Sequence, residues 1–261
     1  MDHLLHMRKP MQARTLPPLL MFIAAIVARP NVGFAQNPPP PPPPGWAGSA
    51  SAGLAMTQGN SDTSTANAAY ELKHDSGGSM VFKSSGLVVW SKAQGTVTSD
   101  RQSFDDRIER KLSARTSLFG QTQYLRDKFK SIDHLFAPTV GVSRLLLKNT
   151  RTEIAVDGAV GAVFEQNPGL DMQKDGALTA GQQLSHKLTA TTELKEKIAA
   201  LWKMDDFGDA LYAFGAGLAA SISTRTQLKV EFLDTYKAEP PLPGVEKNDI
   251  ATLLSFVYKF E

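Results

Sequence analysis

The sequence predicts an all-β protein, a transmembrane antiparallel up-and-down β-barrel of about twelve strands, preceded by a signal peptide and a polyproline linker. Three observations predict this class. Apolar and polar residues alternate in steps of two up to the end of the chain, the N-terminus has the composition of an export signal, and long alternating segments fill the rest. Side chains of a strand point alternately to opposite faces, so a period of two indicates strands. The predicted ranges are 1–35 for the signal, 36–45 for the linker and 46–261 for the barrel.

The last segment, residues 248–260, shows the alternation most clearly. One face carries Thr252 together with Ile250, Leu254, Phe256, Tyr258 and Phe260. A final strand that ends on phenylalanine, with aromatic residues two and four positions earlier, resembles the assembly signal of bacterial outer-membrane barrels. We therefore predict that Phe256, Tyr258 and Phe260 engage the barrel-assembly machinery. Glu261 departs from the usual signal, which ends on the aromatic residue, and the edge strand of a soluble sandwich is the alternative for this segment.

The N-terminus predicts export. Basic residues between positions 8 and 14 precede an apolar run over 16–28, and Gly33 and Ala35 supply small residues where a signal peptidase cuts. The run is short for a membrane-spanning helix, which favours a cleaved signal over an uncleaved anchor. Seven consecutive prolines follow at residues 38–44. Such a run favours a semi-rigid polyproline II spacer of roughly 20 Å, which we expect to lie in the periplasm.

Charge and cysteine content exclude several classes of protein. The chain has 28 basic and 26 acidic residues, but the leader holds four of the basic and one of the acidic residues, which leaves 24 and 25. A nearly neutral exported chain gives no support for nucleic-acid binding. The absence of cysteine excludes disulfides, thiolate metal sites and a lipoprotein anchor. The exported domain must therefore be stabilised by a core or by barrel closure.

Alternating segments, most of them about 11 to 13 residues long, exceed the usual strand length of soluble proteins and suit strands that cross a bilayer at a tilt. Their predicted bounds are 46–57, 64–74, 80–92, 101–112, 116–127, 135–147, 152–164, 174–185, 188–203, 210–222, 225–238 and 248–260.

The polar faces of three segments predict the interior of the barrel. Charged residues occupy every second position there, and mostly apolar residues lie between them. Lipid-facing and lumen-facing residues alternate in this way in outer-membrane barrels. The predicted lumen-lining residues are Asp105, Arg107, Glu109, Lys111, Glu193, Lys195, Lys197, Lys229 and Glu231. Asp106, Arg110 and Glu196 fall on the opposite face, which requires either an interfacial position or a slip in the predicted register.

The connections between segments alternate in length, which predicts the orientation. If the N-terminus is periplasmic, the outer connections include residues 93–100 and 239–247, and the inner ones include 113–115 and the pair His186-Lys187. Short periplasmic turns and longer external loops are typical of outer-membrane barrels.

The first predicted hairpin carries a motif. Gly53-Leu54 is followed, over residues 57–63, by a Thr-x-Gly-Asn-x-Asp-Thr pattern whose central residues are Gly59, Asn60, Asp62 and Thr63. From about Gly48 to the C-terminus the chain resembles the YdiY-like family of salt-induced outer-membrane proteins, a domain of unknown function. Glycine and asparagine tolerate positive φ at a hairpin tip, and Asp or Thr accepts backbone N–H bonds, so we interpret the motif as turn chemistry. The resemblance implies fold and location rather than a mechanism.

Motifs for catalysis or metal binding are scarce. After the leader only His74, His134 and His186 remain, without metal-ligand spacing, and no P-loop, dinucleotide fingerprint or Gly-x-Ser-x-Gly elbow occurs. We predict no catalytic residue, no metal and no cofactor. The alternatives are a Ser/His hydrolase that uses His74 or His134, and a Ca²⁺ ion held by acidic residues of the outer loops.

These observations predict a monomeric, non-enzymatic barrel in the outer membrane of a Gram-negative bacterium, surrounded by outer-membrane lipid and lipopolysaccharide. Its expected function is envelope integrity under stress, or a narrow pore that is weakly selective because the interior charges nearly balance. An outer-membrane lipid or lipopolysaccharide hydrolase and a soluble periplasmic β-protein are the alternatives.

Overall fold

The computed structural model of the protein describes residues 45–57 and 62–260. The predicted signal peptide, the proline run and the motif residues Gly59 and Asn60 lie outside the described residues. Within the described part no helix is long and apolar enough to cross a membrane. Its twelve strands are β1 (Gly45–Thr57), β2 (Thr63–Asp75), β3 (Met80–Ala93), β4 (Thr96–Lys111), β5 (Thr116–Asp127), β6 (Ile132–Lys148), β7 (Thr152–Gln166), β8 (Gln173–Lys187), β9 (Thr192–Lys203), β10 (Ala210–Ser221), β11 (Thr226–Lys237) and β12 (Asn248–Phe260).

The twelve strands form one closed antiparallel barrel in which each strand pairs with its neighbours in sequence. The seam between β1 and β12 closes the barrel, where residues 48–52 pair with residues 256–260. This architecture confirms the predicted all-β class, the up-and-down topology and the number of strands. Because the sheet closes on itself, the edge strand of a sandwich is excluded for residues 248–260.

Two predicted connections are wrong. β4 begins at Thr96, so the outer loop predicted over residues 93–100 is reduced to Gln94 and Gly95. Both residues have positive φ, 47° and 81°, as a tight two-residue hairpin requires. β8 continues through Lys187, so the predicted turn His186-Lys187 lies within a strand, and residues 188–191 form the turn to β9.

The strand side chains divide into an outer and an inner set. On the outer face, large apolar side chains such as Val140, Val230 and Phe256 are 62%, 47% and 51% exposed. Odd-numbered residues pair with odd-numbered residues away from the bulges, and these positions share the inner face. An apolar outer face around a polar interior is the arrangement of a barrel that crosses a membrane.

Aromatic side chains lie near both rims of the outer face. Trp46 stacks on His74 with ring centroids 4.7 Å apart. At the opposite rim Trp202 packs edge-on against Tyr212, whose hydroxyl accepts a hydrogen bond of 3.1 Å from the indole N–H. Amphipathic rings in two girdles are typical of strands that end at membrane interfaces.

The charged residues Asp106, Arg110 and Glu196 lie on the outer face, so the predicted register is correct there. Arg110 pairs with Met80 of β3 and Leu118 of β5, and only Lys111 follows it in β4. It therefore lies at a rim. Asp106 and Glu196 are further from the strand ends and present carboxylates to the surroundings of the barrel.

The barrel has two unlike ends. The turn end carries the start of β1, the end of β12 and five connections of three or four residues, which are 76–79, 112–115, 149–151, 188–191 and 222–225. The loop end carries the other connections, of which the longest spans residues 238–247. Interior contacts are described below by the end at which they lie.

Candidate functional site

The barrel interior is the candidate functional site. The structure places all nine predicted lumen-lining residues on odd positions of the inner face, where, for example, Asp105 pairs with Gln123 and Lys229 with Ser255. It does not bring them together in one ring. Arg107 and Glu109 are buried, whereas Lys195 and Lys197 are exposed and Lys111 pairs with Asp75 at the turn end.

At the loop end, Glu165 of β7 contacts two lysines, Lys203 of β9 and Lys237 of β11. Its carboxylate oxygens lie 2.9 Å from the Lys203 ammonium and 3.0 Å from the Lys237 ammonium. The carboxylate of Asp209 contacts the same two lysines at 2.6 and 3.1 Å. Glu165, Lys203 and Lys237 are 1 to 5% exposed, so these three ions are buried, while the Asp209 side chain is partly exposed. Burial of these ions is tolerated because each has several partners of opposite charge.

Two further contacts cross the interior at the same end. The fully buried Lys130 ammonium lies 3.0 Å from Asp249 and donates to the Glu246 carbonyl at 2.9 Å. Arg101 of β4 donates to the Thr235 hydroxyl of β11. β4 and β11 are five strand positions apart in the twelve-stranded barrel, so this hydrogen bond spans the lumen.

An apolar cluster fills the space beside these ions. Its members come from the five consecutive strands β5 to β9, and they share complete or nearly complete burial. They are Leu125, Ile132, Leu135, Ala137, Val163, Ala177 and Leu201, with Leu211 packed against them. Ile132, Ala137, Val163 and Ala177 are 0% exposed. The loop-end half of the interior is therefore packed like a protein core rather than filled with water.

Arg107 occupies the middle of the interior. Its guanidinium lies 2.7 Å from Glu109 and 3.3 Å from Asp157 of β7, and it donates to the Gln121 amide oxygen at 3.0 Å. The guanidinium carbon also lies 3.5 Å from the centroid of the Phe119 ring. These contacts fix a planar cation between opposite charge and an aromatic face.

The turn-end half of the interior is open. Glu71 of β2 and Lys195 of β9 approach each other across it at 3.4 Å, and their side chains are 59% and 55% exposed. Lys73 and Lys197 are exposed on the same inner face. We call the space between these four residues the vestibule. Charged side chains that remain this exposed inside a barrel indicate a water-filled chamber open to the turn end.

Sequence reasoning missed the residues that close the loop end. Glu165, Lys203, Asp209 and Lys237 occupy odd positions at or next to strand ends, in the parity that marks the inner face. They are absent from the predicted lumen-lining set because they fall near predicted strand boundaries. The alternation of odd and even positions, if it is followed to the ends of the strands, predicts that these four residues face inward. Lys130 lies in the connection between β5 and β6, where no alternation exists that could predict its position.

The hairpin motif is only partly described. The Asp62 carbonyl accepts a hydrogen bond of 2.8 Å from the Gln94 N–H, and Thr63 pairs with Thr57 and with Ala93. These bonds join the β1–β2 connection to the β3–β4 hairpin. The two described motif residues, Asp62 and Thr63, therefore take part in backbone hydrogen bonding at the loop end.

The histidines lie on the outer wall, and among the described residues none of them is hydrogen-bonded to a serine. Nδ1 of His134 lies 2.9 Å from the Tyr124 hydroxyl, and Nδ1 of His186 lies 2.8 Å from the Thr152 hydroxyl. His74 stacks on Trp46. No group of three or more His, Asp or Glu side chains in the described ranges is arranged to hold a metal ion.

Comparisons with known proteins find one matching family and several similar solved structures. The family model described as "Protein of unknown function, DUF481" matches residues 50–260. No curated protein matches the chain. Among solved structures, the NanC porin has a TM-score of 0.52 at 8% identity, over 82% of this chain and 100% of the porin. An outer membrane channel from Pseudomonas putida F1 has a TM-score of 0.48 at 11% identity, over 84% of this chain and 96% of the channel.

Proposed function

The chain belongs to the DUF481 family, the YdiY-like proteins, and from this premise we propose that it is a non-enzymatic outer-membrane barrel closed in its resting state. Its role is to support the integrity of the envelope rather than to pass solutes. The observation that carries the proposal is the packed loop-end half of the lumen, where Glu165, Lys203 and Lys237 are buried beside an apolar cluster.

The outer face supports the location in this proposal. Its exposed apolar belt between two aromatic girdles fits outer-membrane lipid and lipopolysaccharide, with the turn end in the periplasm. In this account the signal peptide directs export, the last strand engages the assembly machinery, and the closed barrel acts as a monomer in a Gram-negative outer membrane.

A narrow pore is the second candidate, and the vestibule favours it. Lys195, Lys197 and Glu71 offer charged, water-exposed side chains at the turn end. A passage requires that the loop-end network and the apolar cluster beside it separate. In an open barrel, charges of both signs would give weak ion selectivity, and replacement of Lys195 and Lys197 by Gln would shift it toward cations.

Planar-bilayer recordings of the purified protein test the proposal. We expect no steady conductance from the wild-type barrel. The double variant Glu165→Ala/Lys203→Ala keeps the net charge unchanged and removes two side chains from the packed loop end. We expect this variant to conduct. The matched variant Glu71→Ala/Lys195→Ala removes an ion pair from the open vestibule and should stay silent. Steady conductance of the wild-type protein would contradict the proposal and support the narrow pore.

A further inference from the structure

Five arginines at the turn end have guanidinium groups without a hydrogen-bonded or ion-paired partner among the described residues. The other three arginines of the described ranges, Arg101, Arg107 and Arg126, all donate to acceptors. The five without such partners are Arg110, Arg115, Arg144, Arg151 and Arg225. The chain therefore concentrates available positive charge at one rim.

The turns hold the backbone beneath these arginines in a repeated geometry. The Ser113 hydroxyl accepts from the N–H groups of Arg115 and Thr116 at 3.2 and 3.1 Å. The side-chain oxygens of Asn149, Thr189 and Ser223 accept the same pair of bonds in three other turns. The Arg115 carbonyl also accepts from the N–H of Leu145 at 2.8 Å. The turn backbone is thus fixed, while the arginine side chains extend from it.

A groove in the outer wall begins at Arg110. It has a volume of about 670 Å³, and Met80, Ile108, Leu118 and Val140 contribute its apolar lining. Gly120 lies at its floor, and no atom outside residues 119–121 lies within 4 Å of the position that a Cβ there would occupy. Further from the rim, Asp106 and Thr122 line the adjoining part of the groove. The apolar part therefore lies between Arg110 and this polar boundary.

Three of the arginines lie around the mouth of the groove. Arg110 of β4 pairs with Leu118 of β5, and Arg144 of β6 pairs with Thr116 of the same strand. Both are on the outer face. Since β4 and β6 flank β5, their backbones are about 10 Å apart, twice the spacing of neighbouring strands. Arg115 lies in the turn immediately before β5.

We propose that this groove and Arg110, Arg115 and Arg144 form a binding site for an anionic phospholipid. The guanidinium groups hold the phosphate, because their planar forks match phosphate oxygens and no carboxylate of the described residues competes for them. The first part of one acyl chain occupies the apolar groove over Gly120. Cationic side chains beside an apolar wall fit the interface of a membrane. The inference requires only that the outer wall faces lipid and is independent of whether the lumen conducts.

Native mass spectrometry of the full-length barrel in neutral detergent tests this site. The protein is incubated with equal amounts of phosphatidylglycerol and phosphatidylcholine that carry the same acyl chains. We expect the wild type to retain phosphatidylglycerol several-fold more than phosphatidylcholine. Arg110→Gln/Arg144→Gln should abolish the preference. Gly120→Leu, which fills the groove, should reduce retention of both lipids.

The matched control is Arg151→Gln/Arg225→Gln, which removes the same charge from the rim away from the groove. It should keep the wild-type preference, and circular dichroism should show a folded barrel for every variant. Excess inorganic phosphate should not displace the lipid. The proposal is overturned if the wild type shows no preference, if the control loses it equally, or if phosphate alone displaces phosphatidylglycerol.

Discussion

Glu165 is the single residue on which the packed interior depends most. It is 1% exposed, accepts a hydrogen bond of 3.0 Å from Asn167 and contacts both Lys203 and Lys237. A buried ion pair adds little stability compared with apolar packing, but loss of Glu165 would leave two buried lysines with one carboxylate fewer to balance their charge. The four contacts shared by Glu165 and Asp209 therefore act as a unit.

Replacement of Glu165 by alanine tests this dependence. We expect Glu165→Ala to lower the free energy of unfolding by about 3–5 kcal/mol, because two buried lysines lose a partner. Urea unfolding in lipid vesicles measures the change. Glu71→Ala breaks an ion pair whose side chains are more than half exposed, so its cost should stay within about 1 kcal/mol. Equal costs for the two variants would show that the loop end is hydrated.

At the scale of the strand, a period of two decides which side chains face lipid and which face the lumen. β11 shows this directly, since Val230 is 47% exposed on the outer face, while Lys229 lies 2.9 Å from Glu231 on the inner face. The outer face of β11 is surrounded by Leu218 of β10 and Leu254 of β12. One residue of slip would exchange the two environments.

Substitutions on the two faces of β11 should therefore differ in cost. Val230→Arg should destabilise the barrel in lipid by about 2–4 kcal/mol, because it places a charge on the lipid-facing wall. Lys229→Gln should cost about 1 kcal/mol or less, since its ion pair is partly exposed. Unfolding titrations in vesicles compare the two variants, and the reverse order would disprove the assignment of faces.

The end of β12 has a second role at the scale of the element, because it forms the closing seam. Phe260, Lys259 and Tyr258 pair with Gly48, Ser49 and Ala50. Deletion of residues 258–261 removes these pairs and exposes the edges of β1 and β12. We expect the shortened protein to be exported but absent from the outer-membrane fraction on immunoblots, whereas deletion of Glu261 alone leaves the yield unchanged. Normal yield of the longer deletion would refute this role.

Local pattern explains which features the sequence predicts. Period two identified the inner faces of β4, β9 and β11, and the C-terminal strand, because each residue reports its own face. Gln94-Gly95 escaped prediction because glutamine is an unusual first residue for a hairpin with positive φ at both positions. The bonds of Lys130 and of Arg101 to strands on other sides of the barrel also escaped it. Such contacts form only because the barrel closes and brings distant strands to face each other across the lumen. The sequence of a single strand does not contain this information.

At the scale of the whole molecule, the barrel is asymmetric along its axis. The loop end contains an apolar cluster and buried ions, and the turn end contains the exposed charges of the vestibule and the rim arginines. A closed loop-end half with an open turn-end half fits a barrel that is sealed at one end and presents charge at the other. The closed loop-end half of the lumen is the central claim of this account.

Cysteine accessibility tests that claim most directly, because the natural chain contains no cysteine. Ala177 and Gln183 share the inner face of β8, but Ala177 is fully buried at the loop end, whereas Gln183 is exposed near the vestibule. Single variants Ala177→Cys and Gln183→Cys are treated, in folded barrels, with a charged water-soluble thiol reagent. We predict rapid labelling of Gln183→Cys and labelling of Ala177→Cys only after unfolding. Equal rates at both positions in the folded protein would contradict a closed lumen.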